Sequence, residues 1–267
     1  MNYTVLGAGR IGSALIHGMI TSGLASGKEI TVACSTPESS TKAALLLGAH
    51  AATSHSTAVL NADIVFLCVK PYQARSLLPH IAEELSEKLI ISLVAGIKSS
   101  EIQTLVGGKA RVIRSMPNTA LRLRKGVTAL APDVSATQDD LNLAMKVFSS
   151  LGRAVIVSER DFDIVTAVSG SGPAFALLAL EALSRGGVEG GLEPDVAKLF
   201  AAGALAAAAS LVIETNESPA TLRSEITSPN GTTAAGLKVM EEEGFSGIIL
   251  RAVHAARNRA NELSAEG

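Results

Sequence analysis

Tyr3-Thr4-Val5-Leu6-Gly7-Ala8-Gly9-Arg10-Ile11-Gly12 is the stretch that decides the fold class. A short β-branched and aromatic run enters a Gly-x-Gly-x-x-Gly turn, and a helical pattern follows it. In that context the glycines let the backbone approach a pyrophosphate at the amino end of a helix. Unpaired N–H groups and the peptide dipole favour negative charge there. A purely structural tight turn is the alternative that the triplet alone leaves open.

Reading outward, short β-branched runs alternate with helical patterns up to residue 158, the texture of βα units around a mostly parallel sheet. Strands are expected at 3–6, 30–33, 64–69, 89–93, 112–115, 127–130 and 154–157. The run Ile64-Val65-Phe66-Leu67-Cys68-Val69 is apolar throughout, as a strand covered on both faces should be. Ser135 followed by Gln138 reads as a capping box opening a helix that stops at Ser150. From residue 159 the strand-like runs end. Helices are expected at 161–168, 174–185, 194–215, 219–226, 232–243 and 246–263, with Pro194 and Pro219 in first turns and Ser218 as a cap. The expected architecture is thus an α/β Rossmann-type dinucleotide-binding domain, 1–158, followed by an all-α domain, 159–267.

Composition excludes several classes. With 47% hydrophobic and 18% charged residues in 267, the chain is far from a disordered polymer. Twenty-three basic against 25 acidic residues leave no cationic footprint, so no nucleic-acid partner is expected. The apolar run from Leu199 to Ile213 falls short of the roughly 20 residues of a membrane span, so no membrane is expected either. The amino terminus lacks a signal-peptide pattern, which makes the cytoplasm the expected compartment. Cys34 and Cys68 have no paired cysteine or histidine at ligand spacing and read as plain buried thiols, with no metal site.

The end of the second strand bears on cofactor choice. Ala33-Cys34-Ser35-Thr36-Pro37 offers hydroxyls where an NAD-selective site places a carboxylate, which favours NADPH. Ser35 and Thr36 also suit the capping of the next helix. Lys70 and Pro71 follow the buried strand at the carboxyl edge of the sheet, where ligands bind in open α/β folds. Met116-Pro117-Asn118-Thr119 follows another strand there. In the second domain, Ser169-Gly170-Ser171-Gly172-Pro173 and Thr227-Ser228-Pro229-Asn230-Gly231-Thr232-Thr233 each open a helix. The latter can receive a carboxylate on successive N–H groups and hydroxyls, or serve as an ordinary cap. No triad or acid–base pair stands out, and hydride transfer needs none.

Together these segments resemble the pyrroline-5-carboxylate reductase family over almost the whole chain. The most specific are Thr166-Ala167-Val168-Ser169-Gly170-Ser171-Gly172-Pro173-Ala174 and Ile226-Thr227-Ser228-Pro229-Asn230-Gly231-Thr232-Thr233. The resemblance implies a Rossmann domain and a helical domain that interlocks with a second subunit, giving at least a homodimer and often a ring of dimers. It implies reduction of 1-pyrroline-5-carboxylate to L-proline, the last step of proline biosynthesis, with NADPH or NADH. Carried over by position, Leu6, Gly7, Ala8, Gly9, Arg10, Ile11, Gly12, Ser35, Thr36, Val69, Lys70, Pro71, Ala95 and Asn118 become cofactor contacts. His55 stands where relatives often carry Asn near the cofactor. Ser228, Gly231 and Thr232 become the substrate-carboxylate cradle, and Thr233 the partner of the ring nitrogen and the catalytic group. Glu217 falls near the family's active site.

The chain departs from the family pattern at Ala120-Leu121-Arg122-Leu123-Arg124 and at Asn230, where the first glycine of the cradle is usual. Asn tolerates a positive φ if the turn requires one. Competing readings are a reductase of a related cyclic imino acid, a β-hydroxyacid dehydrogenase and an NADP-binding regulator without turnover. The second of these would draw its lysine from Lys198 or Lys238.

Overall fold

The computed structural model describes residues 1–265. Its strands are β1 (Tyr3–Leu6), β2 (Ile30–Ala33), β3 (His50–Ala51), β4 (Ile64–Leu67), β5 (Leu89–Ser92), β6 (Arg111–Met116), β7 (Gly126–Pro132) and β8 (Gly152–Ile156). They form one sheet in the order β3-β2-β1-β4-β5-β6-β7-β8. The six strands from β3 to β6 are parallel, β7 runs antiparallel to β6, and β8 runs parallel to β7. The order reverses at β1, so the loops after β1 and β4 flank a crevice at the carboxyl edge. Cys68 and Val69, expected inside the strand at 64–69, lie beyond the end of β4, although the Cys68 N–H still donates to the Leu6 carbonyl at 2.8 Å. The edge strand β3 was not expected.

Alternation along the strands sorts the side chains onto two faces. Val5, Val32, Phe66, Ile91 and Ile113 share one core with helices α1 (Arg10–Thr21) and α6 (Gln138–Ser150). Phe66 stacks on Tyr3 at 6.2 Å and meets Phe148 of α6 edge-on at 6.5 Å. Ala33, Val65, Leu67, Ile90 and Val112 share the other core with α3 (His55–Val59), α4 (Pro71–Leu77) and α5 (Ser99–Leu105). Between β2 and β3 lies α2 (Pro37–Leu47). Each large side chain buried this way is worth about 1.5–3 kcal/mol, which makes the sheet and its two layers a self-sufficient core.

One capping assignment is corrected. The cap of α6 is Thr137, whose hydroxyl accepts from the Asp140 N–H at 3.2 Å while Asp140 Oδ2 accepts from the Thr137 N–H at 2.9 Å. Ser135 is unavailable for that role, because its hydroxyl already accepts from Gln103 Nε2 at 2.6 Å and from the Val112 N–H at 3.2 Å while donating to Asp133 Oδ2 at 2.7 Å.

A buried cluster ties β6 to the start of the helical half. Arg114, 3% exposed, donates to Glu159 Oε1 at 2.8 Å and lies over the Phe162 ring at 4.3 Å. The same carboxylate accepts the N–H and the hydroxyl of Ser99. Burial pushes the Glu159 carboxyl up, but the two Ser99 donors and Arg114 outweigh it and hold it below the usual range.

Beyond Glu159 the chain forms α7 (Phe162–Val165), a π turn at Thr166–Gly170, then α8 (Gly172–Glu189), α9 (Pro194–Thr215), α10 (Pro219–Glu225), α11 (Thr232–Glu242) and α12 (Phe245–Ala265). Pro194 and Pro219 occupy first turns, and the Ser218 hydroxyl caps α10 by accepting from the Thr221 N–H at 3.1 Å. The helix expected at 161–168 is instead the short α7 followed by the π turn.

By its contacts the chain divides into Met1–Gly170 joined by the residues from Ala256 on, and Ser171–Ala255. The division falls later than the change of sequence texture at 159. Residues 266 and 267 of the expected helical domain lie outside the described residues. Within the second unit α8 and α9 approach closely where Gly187 faces Ala197. A Cβ added at Gly187 would lie 3.1 Å from that of Ala197. Only Ala197, Ala201 and Leu222 are buried in this unit.

The length argument against a membrane span is also corrected. Helix α9 has 22 residues at mean hydropathy 2.0, and Glu159–Glu189 forms 31 helical residues at 1.5, with 11% and 6% of their most apolar windows buried. Both are long and apolar enough to cross a bilayer.

Candidate active site

At the switch point lies a cavity of about 1140 Å³. Its floor is the glycine turn. Gly7 has φ +96°, and a Cβ there would lie 2.9 Å from the Cys68 carbonyl oxygen; at Gly12 it would lie 2.0 Å from the Gly7 carbonyl oxygen. These two glycines allow α1 to start directly against the strands. Gly9 precedes α1 without any side-chain cap and faces open space, so the first N–H groups of the helix point toward whatever enters. Loop and helix terminus thus fit the pyrophosphate of a dinucleotide.

The structure brings many of the expected cofactor residues to this wall: Gly7, Ala8, Gly9, Arg10 and Ile11 from the glycine turn, Ser35 after β2, His55 on α3, Val69, Lys70 and Pro71 after β4, and Ala95 after β5. Four others lie elsewhere. Leu6 is fully buried in β1, and Gly12 lies beneath the turn. Thr36 caps α2, accepting from the Ser39 N–H at 3.2 Å. Asn118 has both ends of its amide engaged, Oδ1 accepting from the Ala120 N–H at 3.1 Å and Nδ2 donating to the Ser169 carbonyl at 3.4 Å.

Sequence reasoning missed Ser39, Ser76 and His80, which reach the cavity from helical elements without any motif. Cys34 and Cys68, read as plain core thiols, are only partly buried and belong to the same wall. Burial pushes the Cys68 thiol far up, which leaves it protonated and unreactive. Burial also lowers the His55 pKa. Among the described residues there is no cluster of three or more His, Cys, Asp or Glu side chains that could hold a metal ion.

The second expected site lies on the helical unit. Asn230 has φ +58°, so the left-handed turn is present and Asn supplies it. Gly231 precedes α11 and donates its own N–H to the Ser228 carbonyl at 3.1 Å. A Cβ on Gly231 would lie 2.4 Å from the Ser228 hydroxyl, so only glycine lets that hydroxyl sit beneath the turn. Thr232 and Thr233 start the helix and are exposed, and with no side chain at the cap their N–H groups are left for an external acceptor. Glu217 lies on the exposed link after α9, its N–H donated to the Thr215 hydroxyl at 3.2 Å.

Comparison with known proteins is then decisive. The pyrroline-5-carboxylate reductase of Methanosarcina acetivorans is 36% identical over 97% of this chain and 96% of its own length. The chain belongs to the pyrroline-5-carboxylate reductase family. The Escherichia coli K12 reductase is 32% identical over 97% of both chains. A family model described as pyrroline-5-carboxylate reductase dimerisation matches residues 159–263, and one described as NADP oxidoreductase, coenzyme F420-dependent, matches residues 2–96. Among solved structures, pyrroline carboxylate reductase from Plasmodium falciparum with NADP bound superposes with TM-score 0.90 at 27% identity. It covers 99% of this chain and 98% of that one. The reductase from Coxiella burnetii gives TM-score 0.90 at 33% identity, covering 98% of each. The Rossmann sheet and helical dimerisation half expected from the sequence are those of this reductase family.

Proposed function

We infer that this chain is a pyrroline-5-carboxylate reductase, converting 1-pyrroline-5-carboxylate to L-proline with NADPH in the last step of proline biosynthesis. The observation that carries this is the cavity at the sheet's switch point, floored by glycines that leave a helix terminus open to a dinucleotide pyrophosphate, in a chain similar to these reductases from end to end. NADPH, when bound, supplies the hydride. Reduction places that hydride on the carbon of the ring C=N bond and a proton on its nitrogen, giving the secondary amine.

The chain's own groups hold and orient. The turn from Gly7 to Gly12 and the start of α1 take the pyrophosphate, with Leu6 and Ile11 shaping the turn from either side. Ser35 stands at the ribose end with His55, and Thr36 holds the start of α2 directly behind them. Val69, Lys70, Pro71, Ala95 and Asn118 line or brace the route toward the reacting ring. Ser228, Gly231 and Thr232 cradle the substrate carboxylate, with Glu217 at its margin. Fixing the carboxylate limits the orientations of the imine and so lowers the entropic part of the barrier. Thr233 holds the ring nitrogen as it becomes an amine, and the proton arrives with the substrate as iminium or from water.

Residues 1–158 act as the cofactor domain and 159–267 as the dimerisation and substrate domain. The apolar faces of α8 and α9 are for other copies, in a homodimer or a larger ring of such dimers, rather than for a membrane. Neither nucleic acid nor a membrane is a partner, and the enzyme works in the cytoplasm.

Oxidation of NADPH on adding pyrroline-5-carboxylate, with pyrroline-2-carboxylate and a hydroxyacid as controls, tests the assignment. Turnover with pyrroline-5-carboxylate well above both controls is expected. Preference for pyrroline-2-carboxylate would move the substrate to another cyclic imino acid. Turnover of the hydroxyacid would make the chain a dehydrogenase, and binding without turnover would make it a regulator.

A further inference from the structure

In dinucleotide folds the end of the second strand reads the ribose next to adenine, a carboxylate selecting the 2′-hydroxyl and a cation accommodating a 2′-phosphate. Here β2 runs into Ala33-Cys34-Ser35-Thr36, which offers neither. What the structure brings to that place comes from β3. Ala51 pairs with Val32, and Ala52 donates its N–H to the Val32 carbonyl at 2.9 Å. The chain is thereby led past the end of β2, and three residues later His55 enters the same cavity wall as Ser35 and Ser39.

We propose that His55 recognises the 2′-phosphate of the cofactor, its imidazolium supplying beside the Ser35 and Ser39 hydroxyls the positive charge that an arginine would otherwise bring. This rests on the NADPH reading above and assigns its selectivity to one residue.

The other charged or titratable groups of the wall are placed for different work. Arg10 begins α1, at the pyrophosphate edge. Lys70 and Tyr72 follow β4, two strands from β2 and about 10 Å across the ladder at ordinary strand spacing. His80 lies beyond α4 and is exposed; Cys34 and Cys68 complete the set. Among the described residues no carboxylate lines the cavity, and Glu38 on α2 is exposed outside its wall. Helix α3 packs on β1 and β2, whose one titratable side chain, Tyr3, is buried in the core. On β3, His50 is exposed.

Burial lowers the His55 pKa, so the ring is neutral in the free protein at pH 7.5 and is charged only when a dianion arrives. A phosphate monoester, with its second pKa near 6, is already a dianion at that pH. Binding NADPH therefore takes up a proton, and binding NADH does not.

Calorimetric titration of the full chain at pH 7.5, in two buffers of different ionisation enthalpy, measures affinity and proton uptake together. Wild type should take up a fraction of a proton with NADPH and none with NADH. His55→Asn should lose the uptake and bind NADPH about tenfold more weakly, as the loss of one charge-assisted hydrogen bond predicts, with NADH affinity unchanged. His55→Lys should keep NADPH affinity without the uptake. An equal fall for both dinucleotides in His55→Asn, or undiminished uptake, would overturn the proposal. Wild type binding no NADPH would instead overturn the cofactor reading on which it stands.

Discussion

The two units of this chain solve the burial problem in opposite ways. Met1–Gly170 contains both hydrophobic cores, one on each face of the sheet. Ser171–Ala255 buries three residues and leaves Leu178 68% and Leu199 71% exposed on its helices. Alanine and glycine account for the difference. In the sheet half glycine serves turns and alanine fills the cores, whereas eight of the 13 residues from Ala197 to Ala209 are alanine in one helix. Small side chains favour helix formation and close approach, yet bury little area within one chain. A unit built this way gains its stability on association, in keeping with the dimerisation model that matches it.

That contrast can be broken most sharply at its exposed end. Leu178→Glu with Leu199→Glu replaces two residues that a lone chain leaves in water, where surface changes cost within about 0.5 kcal/mol. Complete loss of the dimer by light scattering is expected instead, and an intact dimer would remove the contrast. Gly12→Ala probes the self-contained half. A Cβ 2.0 Å from the Gly7 carbonyl must displace α1, and NADPH affinity should fall about 100-fold in a fluorescence titration while the dimer persists.

Glu159→Gln removes the partner of the buried Arg114 and should cost about 3 kcal/mol in denaturant unfolding. Because the Glu159 pKa is lowered by folding, its contribution is present at neutral pH and is lost as pH falls through the carboxylate range. Wild type and variant should therefore converge in stability under acid. Smallest is Thr233→Ala. Turnover should drop about tenfold, the worth of one hydrogen bond, with NADPH affinity unchanged. Unchanged turnover would take Thr233 out of the chemistry.

Much of the fold was legible because its signals are local and repeated. The glycine turn, the apolar strand at Ile64 and the prolines opening α9 and α10 each state their element in a few residues. Strand β3 was not legible, since two residues carry no periodicity and only pairing with β2 defines them. The helix cap moved from Ser135 to Thr137 because two hydroxyls competed and the first already accepts from Gln103 and Val112, residues far from it in sequence.

The site divides in the same way. Turn residues of the cavity are fixed by backbone geometry that glycine betrays, but Ser39, Ser76 and His80 arrive from helices whose sequence carries no motif. Thr36 and Asn118 show the converse, with side chains of the right chemistry spent on caps and loops. Asn230 was legible as a tolerated departure because Asn is among the few residues at ease in the left-handed region.

The claim that the helical unit is completed by a second copy is tested most directly by measuring mass and turnover on one sample across a dilution series. A dimer or a multiple of dimers is expected at high concentration, with specific activity falling in step as the dimer dissociates. A monomer that keeps full turnover with pyrroline-5-carboxylate would contradict it.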